Sequence, residues 1–249
     1  MAVTDSAAQA GMVYLVGAGP GSLEMLTLRA HALISSATCL LHDDLVSDAV
    51  VALAPPGALV RNVGKRCGLK TITQEQINGW MVEYARSGYR VVRLKSGDPL
   101  LFGRAGEELA ALNDARIPFE IVPGISTGLA AAALAAMPLT GRITSSRVLF
   151  ATRHLAAGDT SGLAGIAPTA TLVLYMPGSD YAAIAAELRA NGWPAATRCI
   201  IASSLGSERE RVVRCELGEL AQAPRQPSPA LILFFPDMAN TSRREEAGN

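Results

Sequence analysis

Glycines are concentrated in the segment Gly17-Ala18-Gly19-Pro20-Gly21, which follows an apolar run and precedes a helical pattern. Glycine lets the backbone turn sharply and approach a ligand at a helix N-terminus. The spacing departs from the dinucleotide-binding pattern G-x-G-x-x-G, because the third glycine comes one position early. Pro20 also lacks the N–H group that a phosphate-binding loop would donate. Alone, the segment favours neither a nucleoside-binding loop nor a tight structural turn.

A second loop, Lys95-Ser96-Gly97-Asp98-Pro99, also follows a predicted strand and leads to Arg104 and Glu107. Ligands of parallel sheets bind at the carboxyl ends of strands. Asp98 beside Gly97 suits a cationic amine or sulfonium, and Arg104 with Glu107 suits a substrate that carries carboxylate and N–H groups. Each residue also has a purely structural interpretation. Asp98 would then be a turn residue, and Arg104 and Glu107 a solvated ion pair worth about 0.3–0.5 kcal/mol.

Metal binding is not predicted from the histidines and cysteines. The cysteines show no C-x-x-C spacing, and the chain has only three histidines: Cys39, Cys67, Cys199, Cys215, His31, His42 and His154. No metal-ligand cluster can be assembled from sequence neighbours among them. We interpret the cysteines as buried thiols of a reduced compartment.

Basic and acidic side chains balance at 22 each, so no global field would hold a nucleic acid. Basic residues nevertheless concentrate in the middle of the chain: Arg61, Lys65, Arg66, Arg93, Lys95, Arg104, Arg142, Arg147 and Arg153. Either an arginine-rich genome or a local anion site explains this cluster. No run reaches the roughly 18 apolar residues that a membrane span requires, and we expect a cytoplasmic protein with a short frayed leader.

Short β-branched runs alternate with helical patterns, which predicts an α/β fold. Predicted strands are 12–16, 38–41, 58–63, 89–94, 117–122, 148–152, 171–175, 198–203, 210–215 and 230–235. Predicted helices are 23–37, 47–53, 73–87, 106–114, 125–136 and 180–190. We expect Ser22 to cap the first of these helices, and Thr73 and Gln76 have the spacing of a capping box at the start of the third. We expect two α/β lobes, 12–138 and 147–236, the second with a mixed sheet in which 210–215 runs antiparallel to its predecessor. Small ligands commonly bind in the cleft between two lobes.

An ordered series of segments is more specific than either glycine loop. The series comprises Val16-Gly17-Ala18-Gly19-Pro20-Gly21, His42-Asp43-Asp44-Leu45-Val46-Ser47, Val63-Gly64-Lys65-Arg66, Gln74-Glu75-Gln76-Ile77-Asn78, Val91-Val92-Arg93-Leu94-Lys95-Ser96-Gly97-Asp98-Pro99, Val122-Pro123-Gly124-Ile125-Ser126, Pro138-Leu139-Thr140, Thr171-Leu172-Val173-Leu174-Tyr175-Met176 and Ser228-Pro229-Ala230-Leu231-Ile232. Over about 12–236, the chain resembles the tetrapyrrole methylases.

The resemblance implies two α/β lobes with the active site in the interlobe cleft, a homodimer, and S-adenosylmethionine as methyl donor. It also implies transfer of two methyl groups to C2 and C7 of uroporphyrinogen III, which gives precorrin-2. The family's cofactor-binding residues correspond to Pro20, Ser96, Gly97, Asp98, Leu101, Ser126, Thr127, Met176, Gly206 and Ala230. Its proton acceptor corresponds to Asp43 and its proton donor to Lys65. Its substrate-handling residues correspond to Arg104, Glu107, Arg142 and, again, Met176.

Four segments depart from the usual family pattern. The family generally has Tyr-Asp-Arg at His42-Asp43-Asp44, Gly-Gly-Asp-Pro at Ser96-Gly97-Asp98-Pro99, Thr-His-Arg-Asp at Thr140-Gly141-Arg142-Ile143, and Thr-Gly-His at Thr152-Arg153-His154. Related enzymes acting on later corrin intermediates usually lack the acidic residue at Asp43, which favours uroporphyrinogen III here. The alternatives are a methylase of the same fold acting on a later precorrin, an RNA or a modified histidine, and a non-enzymatic nucleotide-binding module.

Overall fold

The structure of the protein is a computed structural model, and it describes residues 7–64, 72–142, 145–153 and 163–236. The chain divides into two compact units, Met1–Thr127 and Gly128–Asn249. Each unit contains one five-stranded sheet. Within the described ranges, no helix is both long and apolar enough to cross a bilayer.

The first unit contains a parallel sheet with the strand order β3-β2-β4-β1-β5. Its strands are β1 (Val13–Gly17), β2 (Cys39–His42), β3 (Leu59–Asn62), β4 (Val91–Lys95) and β5 (Phe119–Val122). Its helices are α1 (Leu28–Ile34), α2 (Asp48–Val51), α3 (Gln74–Arg86) and α4 (Ala105–Asp114). Because β1 and β4 are neighbours, the loops that follow them leave the sheet side by side at its carboxyl edge.

Strand β1 is buried on both of its faces, and its residues are accordingly apolar along its whole length. Alternate β1 residues contribute to two separate cores, Tyr14 and Val16 to one, and Val13 and Leu15 to the other. A strand covered on both faces carries a continuous apolar run. This central position fixes the start of the first glycine loop.

The first predicted helix begins later than the sequence indicated. A short 3-10 turn covers Leu23–Met25, and α1 starts only at Leu28. Thr27, rather than the predicted Ser22, caps the helix, since its hydroxyl accepts a hydrogen bond from the Ala30 N–H at 3.1 Å. The prediction of one continuous helix from 23 was therefore wrong. The predicted capping box at α3 is confirmed, with reciprocal hydrogen bonds between Thr73 and Gln76.

The second unit contains a mixed sheet with the strand order β6-β7-β10-β8-β9. Its elements are α5 (Thr127–Leu134), which begins at the unit boundary, β6 (Val148–Thr152), β7 (Thr171–Tyr175), α6 (Tyr181–Ala190), β8 (Arg198–Ser203), β9 (Arg211–Glu216) and β10 (Ala230–Phe235). β8 and β9 form the expected antiparallel pair. β10 runs antiparallel to both β7 and β8.

Helix α5 belongs with the second unit, although the sequence placed 125–136 in the first lobe. The Gly128 N–H donates to the Tyr175 hydroxyl at 2.8 Å. A Cβ at Gly128 would lie only 2.7 Å from a methyl of Val173. This close approach ties the helix to β7. The lobe limits 12–138 and 147–236 stay a prediction.

Candidate active site

The two glycine loops of the first unit are hydrogen-bonded to each other. The Gly97 N–H donates to the Gly19 carbonyl at 2.7 Å, and the Gly19 N–H donates to the Gly97 carbonyl at 3.2 Å. The Ala18 N–H donates to the Lys95 carbonyl at 2.7 Å. The sheet therefore brings together two loops that lie far apart in sequence.

A third loop, which follows β5, completes what we call the glycine junction, formed by Gly17, Gly97 and Gly124. A Cβ at Gly124 would lie 2.2 Å from the Gly97 carbonyl oxygen, and one at Gly17 would lie 2.5 Å from the Gly124 nitrogen. No side chain fits at either position, so three backbone segments meet in direct contact. The junction leaves main-chain groups, rather than side chains, at the carboxyl edge of β1, β4 and β5.

Asp98 braces the glycine junction through its carboxylate. One oxygen accepts from the Leu100 N–H at 2.9 Å, and the other accepts from the Gly124 N–H at 3.1 Å. This geometry is that of a turn residue which also joins two loops. Binding of the cofactor by Asp98 stays a prediction.

The other predicted cofactor residues of the first unit lie on the loops of the junction. Pro20 is buried directly after Gly19, and Ser126 is only 8% exposed. The Thr127 hydroxyl lies 3.3 Å from the Cβ position of Gly97. A positive φ occurs at Gly97 (φ 68) and not at Ser96, so serine in place of the usual glycine introduces no left-handed strain. Leu101 is half-buried in the same loop.

Asp43 follows β2 and is held by a buried arginine. Its carboxylate accepts from an Arg93 terminal nitrogen at 2.5 Å. The Asp43 side chain is 30% exposed, whereas that of Arg93 is 3% exposed. The carboxylate of Asp43, the predicted proton acceptor, is therefore partly accessible to solvent, and a buried positively charged partner holds it in place.

Arg93 belongs to a buried network of four charges, Asp43, Arg93, Glu108 and Lys95. Glu108 is completely buried in the first turns of α4, and its two oxygens accept from Arg93 Nε and Lys95 Nζ, each at 2.9 Å. Two cations and two carboxylates leave no net charge. Removing one member would leave a buried charge without compensation.

The network shifts the pKa of both cations. Burial lowers the pKa of Lys95, and the positive charge of Arg93 lowers it further, against the opposing effect of Glu108. Burial also opposes the charge on Arg93, but the carboxylates of Asp43 and Glu108 more than offset this effect and raise its pKa. Arg93 therefore remains a permanent cation beside Asp43.

Arg93 was predicted only as a member of the central basic cluster, and Glu108 was not predicted as a functional residue. One feature of the sequence could have predicted this network: Arg93 and Lys95 lie two residues apart in an otherwise apolar strand. Residues i and i+2 share one face of a strand, so two cations there require a buried acid. The Arg61 guanidinium lies 4.3 Å from the ring centre of Trp80. Several cations of the central cluster are thus held by protein groups.

Arg104 and Glu107 form a paired, half-exposed surface group. Arg104 donates to both oxygens of Glu107 at 2.7 Å, and the two side chains are 51% and 50% exposed. The hydrogen bond to Glu107 raises the pKa of Arg104. The pair has the geometry of the solvated ion pair considered above, and its role toward a substrate stays a prediction. Lys65, the predicted proton donor, lies outside the described residues.

In the second unit, three of the predicted residues lie at one edge of the sheet. Met176 directly follows β7, Ala230 begins β10, and Gly206 lies in the loop after β8. The strand register places Leu231 opposite Tyr175 and Ala230 opposite Ser203, which brings these three positions to the same edge. The fourth residue, Arg142, is exposed in the segment between α5 and β6.

Four of the six non-glycine residues with a positive φ in the described part of the chain lie on loops of the candidate site. Phe102 (φ 53) and Arg104 (φ 55) precede α4, while Met176 (φ 49) and Ser204 (φ 51) follow β7 and β8. Each costs about 1 kcal/mol or more, and such strain is frequent at binding sites. In the described part of the chain, no group of three or more His, Cys, Asp or Glu side chains is arranged to hold a metal ion.

Comparison with known proteins agrees with this geometry. The family model "Tetrapyrrole (Corrin/Porphyrin) Methylases" matches residues 12–221. The chain belongs to the tetrapyrrole methylases. The predicted family and the two-unit α/β fold are thereby confirmed.

Individual members of the tetrapyrrole methylases match nearly the whole chain. A uroporphyrinogen-III C-methyltransferase of Paracoccus denitrificans is 42% identical over 231 residues, covering 90% of this chain and 80% of that protein. The uroporphyrin-III C-methyl transferase of Thermus thermophilus, solved in complex with S-adenyl homocysteine, superposes with a TM-score of 0.79 at 35% identity, covering 92% and 99% of the two chains. A siroheme synthase of Photobacterium profundum is 42% identical over 237 residues, covering 93% of this chain but only 50% of that protein.

Proposed function

We propose that this tetrapyrrole methylase transfers methyl groups from S-adenosylmethionine to C2 and C7 of uroporphyrinogen III, giving precorrin-2. The observation that carries the proposal is the 42% identity, over 90% of the chain, with the Paracoccus denitrificans uroporphyrinogen-III C-methyltransferase. The presence of Asp43 beside a fixed cation supports the same substrate.

The glycine junction fits a nucleoside-bearing methyl donor. Its three glycines let three backbone segments pack in direct contact, which leaves main-chain groups rather than side chains at the carboxyl edge of the sheet, and the buried Ser126 adds a hydroxyl nearby in sequence. Pro20, Ser96, Gly97, Asp98, Leu101, Ser126 and Thr127 would hold the donor in the first unit, with Met176, Gly206 and Ala230 as the binding residues of the second. The donor, when bound, supplies an activated methyl group on a sulfonium.

The main task of the protein in this reaction is orientation. Pyrrole carbons of a porphyrinogen are electron-rich, so alignment of carbon, methyl and sulfur can lower the barrier by about 7–11 kcal/mol. Arg104 and Arg142 would each bind carboxylates of the polyacidic macrocycle, since guanidinium groups bind carboxylates in bidentate fashion. For Arg104 this requires exchange of Glu107 for the substrate.

Asp43 would accept the proton that the methylated ring must lose. Its partner Arg93 fixes the carboxylate in place, while the 30% exposed side chain remains accessible. Lys65 would act as the complementary acid. Met176 would contact either the donor or the substrate.

The test is transfer of a radiolabelled methyl group from S-adenosylmethionine to uroporphyrinogen III, followed by mass analysis of the product. We expect two added methyl groups per macrocycle. A methylase of later precorrins would leave uroporphyrinogen III unlabelled but would label a later precorrin. A nucleotide-binding module would bind the donor and label neither.

The proposal includes a cytoplasmic homodimer. Several large apolar side chains of the first unit are exposed, most of all Leu28 at 92%. A second copy that covered Leu28 would remove this apolar side chain from water. Light scattering on the purified protein should give twice the mass of one chain, and a monomer at micromolar concentration would contradict this part of the proposal.

A further inference from the structure

Two cysteines of the second unit lie directly opposite each other on neighbouring strands. Cys199 of β8 pairs with Cys215 of β9 in the antiparallel register. The Leu217 N–H donates to the Thr197 carbonyl at 2.8 Å, two positions further along the same ladder. Hydrogen-bonded pairs recur every second residue, so Cys199 and Cys215 also form a hydrogen-bonded pair with a Cα separation of about 5.5 Å. This Cα separation lies within the range of about 4.4–6.8 Å that a disulfide spans, and the Cβ atoms, up to about 5.5 Å apart in such a pair, must approach to about 3.5–4.5 Å for the bond to form.

The two thiols have different environments. Cys199 is 1% exposed and belongs to the apolar core of the second unit, where its thiol donates to the Thr197 carbonyl at 3.4 Å. Cys215 is partly exposed on β9, one of the two edge strands of this sheet in the described residues. A reagent from solvent therefore reaches Cys215 first.

Because the two thiols are neighbours, their reactivities are unequal. The interaction with Cys199 lowers the pKa of Cys215, against the opposing effects of burial and of Glu219. The interaction with Cys215, together with burial, raises the pKa of Cys199. Because the thiolate is the nucleophile, the more accessible cysteine is also the more reactive one.

We propose that Cys199 and Cys215 form a dithiol site that exchanges with low-molecular-weight disulfides. The Cys215 thiolate attacks one sulfur of the incoming disulfide, forms a mixed disulfide and releases one thiolate. Cys199 then loses its proton and attacks the Cys215 sulfur, which expels the second thiolate. Two protein thiols are oxidised to one disulfide, and the incoming disulfide is reduced to two thiols.

This site differs from the remaining described cysteine of the chain. Cys39 is fully buried in the first unit, and burial raises its pKa to about 12. It therefore matches the buried thiol predicted for all four cysteines, whereas the partly exposed Cys215 does not. The hairpin closed by the Cys199–Cys215 bond also carries Gly206, and any effect of oxidation on donor binding there rests on the proposed function.

The test uses the full chain, incubated with oxidised glutathione at neutral pH. After acid quenching and alkylation of free thiols, peptide mapping by mass spectrometry identifies every linked and alkylated cysteine. We expect a peptide pair joined through Cys199 and Cys215, with Cys39 alkylated only after unfolding. Excess reduced glutathione should restore both thiols.

Two variants separate the steps of the exchange. Cys199→Ser should stop at a stable glutathione adduct on Cys215, because the resolving thiol is absent. Cys215→Ser should leave Cys199 unmodified in the folded protein. Far-ultraviolet circular dichroism of each variant checks that the fold is retained, and peptide mapping of the wild-type chain tests the bond without any substitution. Alkylation of both cysteines in oxidised wild-type protein, a persistent adduct on Cys215, or a bond from either cysteine to Cys67 would overturn the proposal.

Discussion

At the scale of single residues, neighbouring carboxylates on α4 have opposite environments. Glu108 is completely buried between two cations, whereas Glu107 is 50% exposed beside Arg104. A buried ion pair that loses one partner leaves an uncompensated charge, while an exposed pair contributes little. Sequence position alone does not distinguish the two residues.

Glu108→Ala should therefore reduce the free energy of unfolding by about 3–5 kcal/mol, since Lys95 and Arg93 would lose a shared counter-ion. The matched variant Glu107→Ala should cost less than about 0.5 kcal/mol. Urea unfolding of both variants at neutral pH measures the difference. Equal losses of stability would show that the buried network does not contribute as described.

Asp43→Asn should abolish proton removal while preserving the shape of the side chain. We expect methyl transfer to fall by about 10²–10⁴-fold, because an amide is not a general base. Binding of S-adenosylhomocysteine by calorimetry should be unchanged, since Asp43 is not among the predicted donor-binding residues. Asp48→Asn, an exposed position at the start of α2, serves as the control with full activity. Wild-type turnover by the Asp43 variant would refute its role.

Cys39 makes stability depend on alkaline pH. Burial raises its pKa from 9.0 to about 12, although the charge of Arg61 opposes the shift. Between these values the unfolded chain loses a proton that the folded chain keeps, so stability present below pH 9 is lost as pH rises. The loss is about 1.4 kcal/mol per pH unit within this window. The difference in unfolding free energy between wild type and Cys39→Ala should shrink by about this amount from pH 8 to pH 10. A difference that stays constant over this range would contradict the assignment.

At the scale of elements, the loops after β1, β4 and β5 position the site because their glycines allow direct backbone contact. Gly124→Ala should destabilise the fold by about 1–3 kcal/mol, since its Cβ would lie 2.2 Å from the Gly97 carbonyl oxygen. The same variant should weaken binding of S-adenosylhomocysteine. Urea unfolding and calorimetry measure the two effects.

Gly79→Ala supplies the matched control for this substitution. Gly79 lies exposed within α3, and no atom lies within 4 Å of its Cβ position. Alanine should stabilise the helix there by about 0.5–1 kcal/mol and leave donor binding unchanged. If Gly124→Ala behaved like Gly79→Ala, the close contact at the glycine junction would not matter.

The elements whose signals are local could be predicted from the sequence. Short β-branched runs identified the ten strands of the described residues, and the spacing of Thr73 and Gln76 identified the start of α3. The start of α1 was missed, because Ser22 and Thr27 are both suitable caps and only tertiary context selects Thr27.

The charged network could not be derived from local patterns. Arg93 lies 50 residues from Asp43 and 15 residues from Glu108 along the chain, and only strand order and helix placement bring the three together. Similarly, each glycine loop was visible in the sequence, but their direct contact depends on β1 and β4 being neighbours.

At the scale of the whole molecule, membership of the tetrapyrrole methylases covers both units of the chain. The chain spans about half the length of the siroheme synthases it matches, but 80% of the Paracoccus denitrificans uroporphyrinogen-III C-methyltransferase. The proposed activity therefore concerns methyl transfer alone.

The position of the transferred methyl groups tests this account most directly. Uroporphyrinogen III and S-adenosylmethionine labelled with ¹³C in its methyl group are incubated anaerobically with the purified chain, and the product is analysed by carbon NMR. We predict two labelled methyl groups per macrocycle, at C2 and C7. An unlabelled macrocycle, or label on any other carbon, would contradict the proposed function.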